Sequence, residues 1–338
     1  MPTESLTNRG RTLDGIELLA ARLVEEIDAC IETHVSKERP IKFSVVAHSL
    51  GGIVARYACF LLWERGSFGT LLQPVSFMTL GSPHLGVRRS GNLLGRVAEF
   101  AGELMFGGSR TLEQLMMRDR DEDGQPLMVR MAAGGFLLAL KAFPNRCLVS
   151  AIQWDHQVTF SSSSITLYNQ YATRWAFARY LMSYVSSSYH DRLVGFSGFP
   201  DEYTFVLQYH PESKKRLDAV VPLEKGAGES DTLVIAEAHA ETFRLHPNLA
   251  EEGDAEIAAS DPFVVACARG LQTLSWRRID FELMSLFAHD QLINKPSLNC
   301  CGVRNPTAYG WKVLNKLSKV IALDRILFDE QNKSNTEE

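Results

Sequence analysis

The run Val45-Val46-Ala47-His48-Ser49-Leu50-Gly51-Gly52 sets a serine between an apolar, β-branched stretch and a pair of glycines. A serine hydroxyl is a weak nucleophile until a turn aims it and a neighbouring base takes its proton. A buried strand that passes abruptly into a helix does the aiming. It lifts the hydroxyl above the sheet and points the next backbone N–H, with the helix dipole behind it, at the place where an oxyanion would form. The spacing calls for small residues two before and two after the serine, which here are Ala47 and Gly51. Ser49 is therefore the candidate nucleophile and the Leu50 N–H the candidate oxyanion donor. The competing reading makes Ser49 a helix N-cap, a position serine favours.

A serine of this kind needs a histidine, and an acid to orient it, in the chain order Ser, Asp or Glu, His. The chain has nine histidines. His34 precedes the serine, His48 is bound into the turn itself, and His84 follows Pro83 at a strand end. His289, in Phe287-Ala288-His289-Asp290, falls just after the last expected strand, on the loop where the base belongs. Asp191, in Tyr189-His190-Asp191-Arg192-Leu193-Val194-Gly195, sits in a loop between the two. By composition alone Asp191 is a turn residue, and only its place in the order and the resemblance given below recommend it.

No cofactor or metal motif accompanies these residues. The six cysteines are scattered without paired metal spacing. The acidic run Asp119-Arg120-Asp121-Glu122-Asp123-Gly124 lacks the downstream glutamate of a calcium loop and reads as a solvated loop.

The elements that must position the serine alternate between helix and strand. Ile16, Leu19, Leu23, Ile27 and Ile31 recur at helical spacing between Asp14 and His34, and Ile41 to Ala47 is a buried parallel-strand pattern. Ile53, Val54, Tyr57, Ala58, Leu61 and Leu62 resume the helical period, and Pro74 to Leu80 is a second buried strand ending at Gly81-Ser82-Pro83. Arg146 to Ser150 starts a third, Trp276 to Leu283 alternates like a fourth, and Trp311 to Phe328 is a closing helix. This pattern predicts an α/β fold with a mostly parallel sheet flanked by helices. It forms one domain over 1–328 with a polar tail at 329–338. The Leu- and Met-rich part of 88–143 reads either as a helical lid with an acyl-chain surface or as ordinary core helices.

Composition narrows the function. The chain of 338 residues is 45% hydrophobic, so it can bury a sizeable core, and its net charge of -5 gives no basic footprint for nucleic acid. The amino-terminal residues do not have the order of charges and apolar residues of a signal peptide. No stretch approaches the roughly 20 apolar residues of a membrane span. A cytoplasmic protein with reduced thiols is expected, peripheral at most to membranes or lipid droplets.

These residues resemble a known group. Phe43 to Tyr57, followed by Thr79-Leu80-Gly81-Ser82-Pro83-His84-Leu85-Gly86, is similar to the serine esterase family of lipase-like α/β-hydrolases. Thr12-Leu13-Asp14-Gly15, Asp191 to Phe196, Ser275 to Asp280 and Ala288-His289 are shorter matches to the same family. The resemblance implies a Ser49, Asp191, His289 triad that cleaves carboxylic esters, with a lipid or small ester as substrate and no cofactor. It also implies three departures. Ala47 stands for the usual glycine, a sterically mild change. The strand and glycine turn that supply a second oxyanion donor are expected to be missing before Asp14, which makes an impaired scaffold or a fragment the alternative. Residues 150–184 read as an atypical insertion or an unspliced segment. Thioester or peptide hydrolysis would use the same triad.

Overall fold

In the computed structural model the described residues are 7–34, 40–87, 109–153, 155, 157–169, 192–199, 261–283, 288–293 and 310–337. Strand β1 (Ile41–His48) leads through Ser49 into helix α2 (Leu50–Glu64), after the amphipathic helix α1 (Ile16–His34). Strand β2 (Leu72–Leu80) follows, then three short helices, α3 (Arg110–Leu115), α4 (Leu127–Arg130) and α5 (Gly134–Lys141). Strand β3 (Asn145–Ala151), helix α6 (Phe160–Ser164), strand β4 (Arg192–Ser197), helix α7 (Pro262–Leu271), strand β5 (Arg277–Glu282), the one-turn helix α8 (Ala288–Gln291) and helix α9 (Gly310–Glu337) complete the order.

The sheet runs β1-β2-β3-β5-β4. β1, β2, β3 and β5 are parallel, and β4 joins β5 antiparallel at one edge. Four parallel strands flanked by helices are consistent with an α/β-hydrolase-like fold. Pro74 has no N–H to give the ladder, and the β1–β2 register accordingly slips beside it, between Phe43/Pro74 and Ser44/Ser76.

Burial explains the layers. On one face Ile53, Phe77, Leu148, Met117, Met128, Met131, Phe143, Val264 and Cys267 form a core, with α1 packing Leu19, Ala20 and Val24 against Val54, Ala58 and Leu62 of α2. On the other face α9 lays Val313, Leu317 and Val320 over Met78, Leu80, Cys147, Val149 and Ile279. Met117, Leu127, Met128 and Leu140 are thus core residues, whereas 88–108 lie outside the described residues.

Two sequence expectations change. The residues after Asp191 form strand β4 rather than a loop, because pairing with β5 outweighs the weak local pattern around Gly195. The closing helix runs to Glu337 and takes in most of the expected polar tail, with Asp329 paired to Lys42 of β1.

α9 is pinned by one carboxylate. Asp324, 2% exposed, accepts from Ser76 Oγ at 2.7 Å and from the Arg277 guanidinium at 2.6 Å, joining β2, β5 and α9. Removing one partner of a buried ion pair leaves the other charge uncompensated. Asp324→Ala should cost about 3 kcal/mol of unfolding free energy, read from the urea midpoint, and Asp324→Asn should cost less. Equal stability of Asp324→Ala and the parent would show that the apolar seam alone holds the helix.

Candidate functional site

The turn at Ser49 is strained. Its φ of 54° and ψ of -132° lie where a non-glycine residue rarely settles. Its N–H donates to Leu80 O at 2.9 Å, which fastens the turn to the end of β2. The side chain makes no capping hydrogen bond, so the N-cap reading does not describe it. The position that excludes a side chain falls one residue later than the spacing suggested. Gly51 has open space around it, whereas a Cβ on Gly52 would lie 2.1 Å from Ser82 Oγ and 2.6 Å from Ser82 Cβ. Gly52 is where only glycine fits, because helix α2 starts directly against the turn that ends β2.

His289 stands on α8 with its ring buried. Its Nδ1 lies 2.8 Å from Asp155 Oδ2, the two side chains being 4% and 3% exposed. Asp155 is held in turn, since its Oδ1 accepts the N–H groups of Gln157 at 3.0 Å and Val158 at 2.8 Å. One oxygen anchors the loop and the other meets the imidazole. A proton on Nδ1, donated to the carboxylate, leaves Nε2 with its lone pair. That Nε2 is buried and without a hydrogen-bond partner, so no hydrogen bond joins it to Ser49 Oγ. Catalytic contacts of this type are often long before substrate arrives.

Gly81 lies beneath this pair at φ 54°. A Cβ there would come within 3.3 Å of His289 Nδ1, 3.4 Å of Asp155 Oδ2 and 3.0 Å of Leu292 Cδ1. His48, Ser49, Gly81, Asp155 and His289 thus sit at or just beyond the C-terminal ends of β1, β2, β3 and β5, the rim where open parallel sheets bind ligands.

Asp191 lies outside the described residues. The carboxylate that meets His289 is Asp155, which sequence reasoning passed over. A signal was available, since Asp155 is the first carboxylate after β3, four residues past Ala151.

A second buried polar group braces the rim. Arg56 of α2, 1% exposed, donates to Met131 O at 2.9 Å and approaches His84 Nδ1 at 3.4 Å, while His84 Nε2 lies 2.8 Å from Thr79 Oγ1. A guanidinium only donates, so Nδ1 of His84 accepts and Nε2–H donates to Thr79. Burial pushes Arg56 down to about 10 and, with the guanidinium beside it, holds His84 well below the usual histidine range. Burial, with His289 next, likewise brings His48 down to about 4, against the opposing pull of its hydrogen bond to His289 O. Among the described residues no group of three His, Cys, Asp or Glu side chains is placed to hold a metal ion.

His48 and His84 are neutral when folded and bind protons when unfolded, near the ordinary pKa of 6.5. The unfolded chain therefore holds more protons below that pH, and stability falls as pH drops from about 6.5 towards 4. Each group contributes a slope of at most about 1.4 kcal/mol per pH unit. Urea unfolding at pH 7, 6 and 5 should show a shallower decline in His48→Gln than in the parent. Equal slopes would mean that His48 is charged in the folded protein.

Comparison with known proteins places part of the chain among esterase-like sequences. Residues 3–165 match the family described as "Putative serine esterase". Relatives include "Putative lipase C4A8.10" of Schizosaccharomyces pombe, 30% identical over 167 residues, which are 47% of this chain and 20% of that protein. "Putative lipase YDL109C" of Saccharomyces cerevisiae is 26% identical over 172 residues, 48% of this chain and 25% of that protein. "Putative lipase ROG1" of the same yeast is 27% identical over 157 residues, 46% of this chain and 22% of that protein. The matched region is therefore a quarter or less of each of these relatives. No solved structure is significantly similar to the chain. The segment 3–165, which carries Ser49, Gly81 and Asp155, is a match to the serine esterase family.

Proposed function

We propose that the chain is a serine hydrolase that cleaves carboxylic esters, with lipid acyl esters as its substrate class. Ser49, on a nucleophile elbow, attacks the carbonyl carbon, and His289 Nε2 takes the hydroxyl proton and returns it to the leaving alkoxide. Asp155, in the place the sequence assigned to Asp191, keeps the proton on Nδ1 and stabilises the imidazolium. The Leu50 N–H, in the first turn of α2 where no intrahelical carbonyl takes it up, receives the oxyanion. The acyl-enzyme is then hydrolysed by water through the same base.

The observation that carries this reading is the buried His289–Asp155 bond, with Nε2 left unpartnered. The names of the relatives favour lipids. None of the described helices is long and apolar enough to cross a membrane.

A second reading, a hydrolase-like scaffold with impaired turnover, is favoured by the position of β1. Among the described residues β1 pairs only with β2, and no neighbouring strand lies on its other side to bring a second oxyanion donor. Loss of one such donor costs on the order of 100- to 1,000-fold in turnover.

A fluorophosphonate probe, with p-nitrophenyl ester hydrolysis alongside, tests the assignment. The parent should label and Ser49→Ala should not. Asp155→Asn should lower turnover by on the order of 10,000-fold, the scale of losing the acid in related triads. Asp191→Asn should stay within a few-fold of the parent. Labelling that survives Ser49→Ala would move the nucleophile elsewhere. A large loss in Asp191→Asn with none in Asp155→Asn would restore Asp191 as the acid. Labelling at the normal rate with very slow ester turnover would favour the scaffold.

A further inference from the structure

We infer that His48 is a positioning residue, which holds the backbone of His289 and thereby sets its imidazole opposite Ser49. The inference rests on the roles proposed for Ser49 and His289. His48 Nε2 lies 3.0 Å from the carbonyl oxygen of His289, and the two rings stand 4.5 Å apart between centroids at 47°. A carbonyl only accepts, so Nε2 of His48 carries the hydrogen and donates it.

The short helix makes that bond consequential. In α8 the Leu292 N–H goes to Ala288 O at 3.2 Å and the Ile293 N–H to Asp290 O at 3.3 Å, so neither takes the carbonyl of His289. A single turn has little stability of its own. The carbonyl of the base is instead tied to the last residue of β1, the residue that precedes the nucleophile. Any shift of the strand end moves Ser49 and His289 together. Asp155 fixes the same imidazole from the β3 side, at Nδ1. The residue is therefore gripped at its backbone by one strand and at its Nδ1 by the loop after another.

His48 donates a proton to no reacting atom, so its loss should be read in kcat and not in KM. Misplacing a reacting group by about 1 Å costs on the order of 100-fold. The amide nitrogen of glutamine can reach where Nε2 of a histidine stands, whereas that of asparagine stops at the place of Nδ1. His48→Gln should therefore keep kcat within about threefold of the parent, while His48→Asn and His48→Leu lose on the order of 10- to 100-fold at unchanged KM. Proton NMR reads the same clamp without turnover. The His289 Nδ1–H, bonded to Asp155, gives a far-downfield resonance that should stay sharp in the parent and His48→Gln, and broaden or vanish in folded His48→Asn.

A role in stability alone would treat asparagine and glutamine alike. Folded His48→Asn with the parent's kcat and the parent's downfield resonance would overturn the proposal. If the parent fails to react with a fluorophosphonate while its downfield resonance still depends on residue 48 in this way, the clamp stands and the hydrolase reading falls. The His48→Asn and His48→Gln pair avoids reliance on the leucine variant, whose burial of an apolar group in a polar site risks misfolding.

Discussion

Two missing Cβ atoms govern the geometry of this rim. Gly52 lets α2 start against the turn that ends β2, with Ser82 Oγ where a methyl group would otherwise stand. Gly81 leaves room above β2 for the imidazole of His289 and the carboxylate of Asp155. Without the first, the helix behind Ser49 would be pushed away from the sheet and the strained turn would have nothing to press against. Without the second, a Cβ 3.3 Å from His289 Nδ1 would press on the imidazole and push it by a few tenths of an ångström, besides taking an unfavourable φ. The positive φ at Gly81 and at Ser49 is paid for by the core beneath them, which over-determines both turns.

The electrostatics follow from burial at the same place. Arg56 is buried and, among the described residues, meets no carboxylate; its partners are a carbonyl and a neutral imidazole. A charge in such surroundings is costly unless hydrogen-bonded. It also fixes its neighbour, because a protonated His84 would confront the guanidinium at 3.4 Å. His84 therefore stays neutral, and a neutral ring with one donor and one acceptor bridges α2 to Thr79 of β2. His48 is neutral for a related reason, burial beside His289. Among the described residues, His289 is the one of these three histidines with a carboxylate at hydrogen-bond distance.

The sheet was legible because its strands are short buried runs bounded by Pro and Gly, and the serine because it lies between such a run and a helical period. Ile41 to Ala47, Pro74 to Leu80, Arg146 to Ser150 and Trp276 to Leu283 coincide with β1, β2, β3 and β5 to within two residues at either end. β4 was not legible, since Gly195 interrupts its pattern and pairing with β5 creates it. Helix α7 had a readable start, Asp261 before Pro262, where Oδ1 accepts from Phe263 at 2.9 Å and Val264 at 3.3 Å. For the candidate site, the positions of Ser49 and His289 beyond strand ends were legible, and Asp155 was not singled out. Histidine after the last strand is a matter of order, which sequence preserves. The acid is a matter of which loop returns to the histidine, and the stretch between β3 and β4, whose two carboxylates are Asp155 and Asp191, offers no periodicity to decide that.

The position of β1 gives the clamp on His289 its weight. Among the described residues, β1 takes its ladder bonds from β2 alone, and near its C-terminal end Val46 is 53% exposed. A strand inside a sheet is fixed from both sides, whereas a strand at an edge can twist away from its one neighbour. The residue that must not move is the one at the end of this strand. What compensates is concentrated at that end: the Ser49 N–H bond to Leu80, the contact of Gly52 with Ser82, and the reach of His48 to His289. Each ties the turn to β2 or to the loop after β5, so the serine is located by the loops around it more than by its own strand. A strand bonded to the free edge of β1 would add rigidity from the other side, and turnover would then depend less on His48.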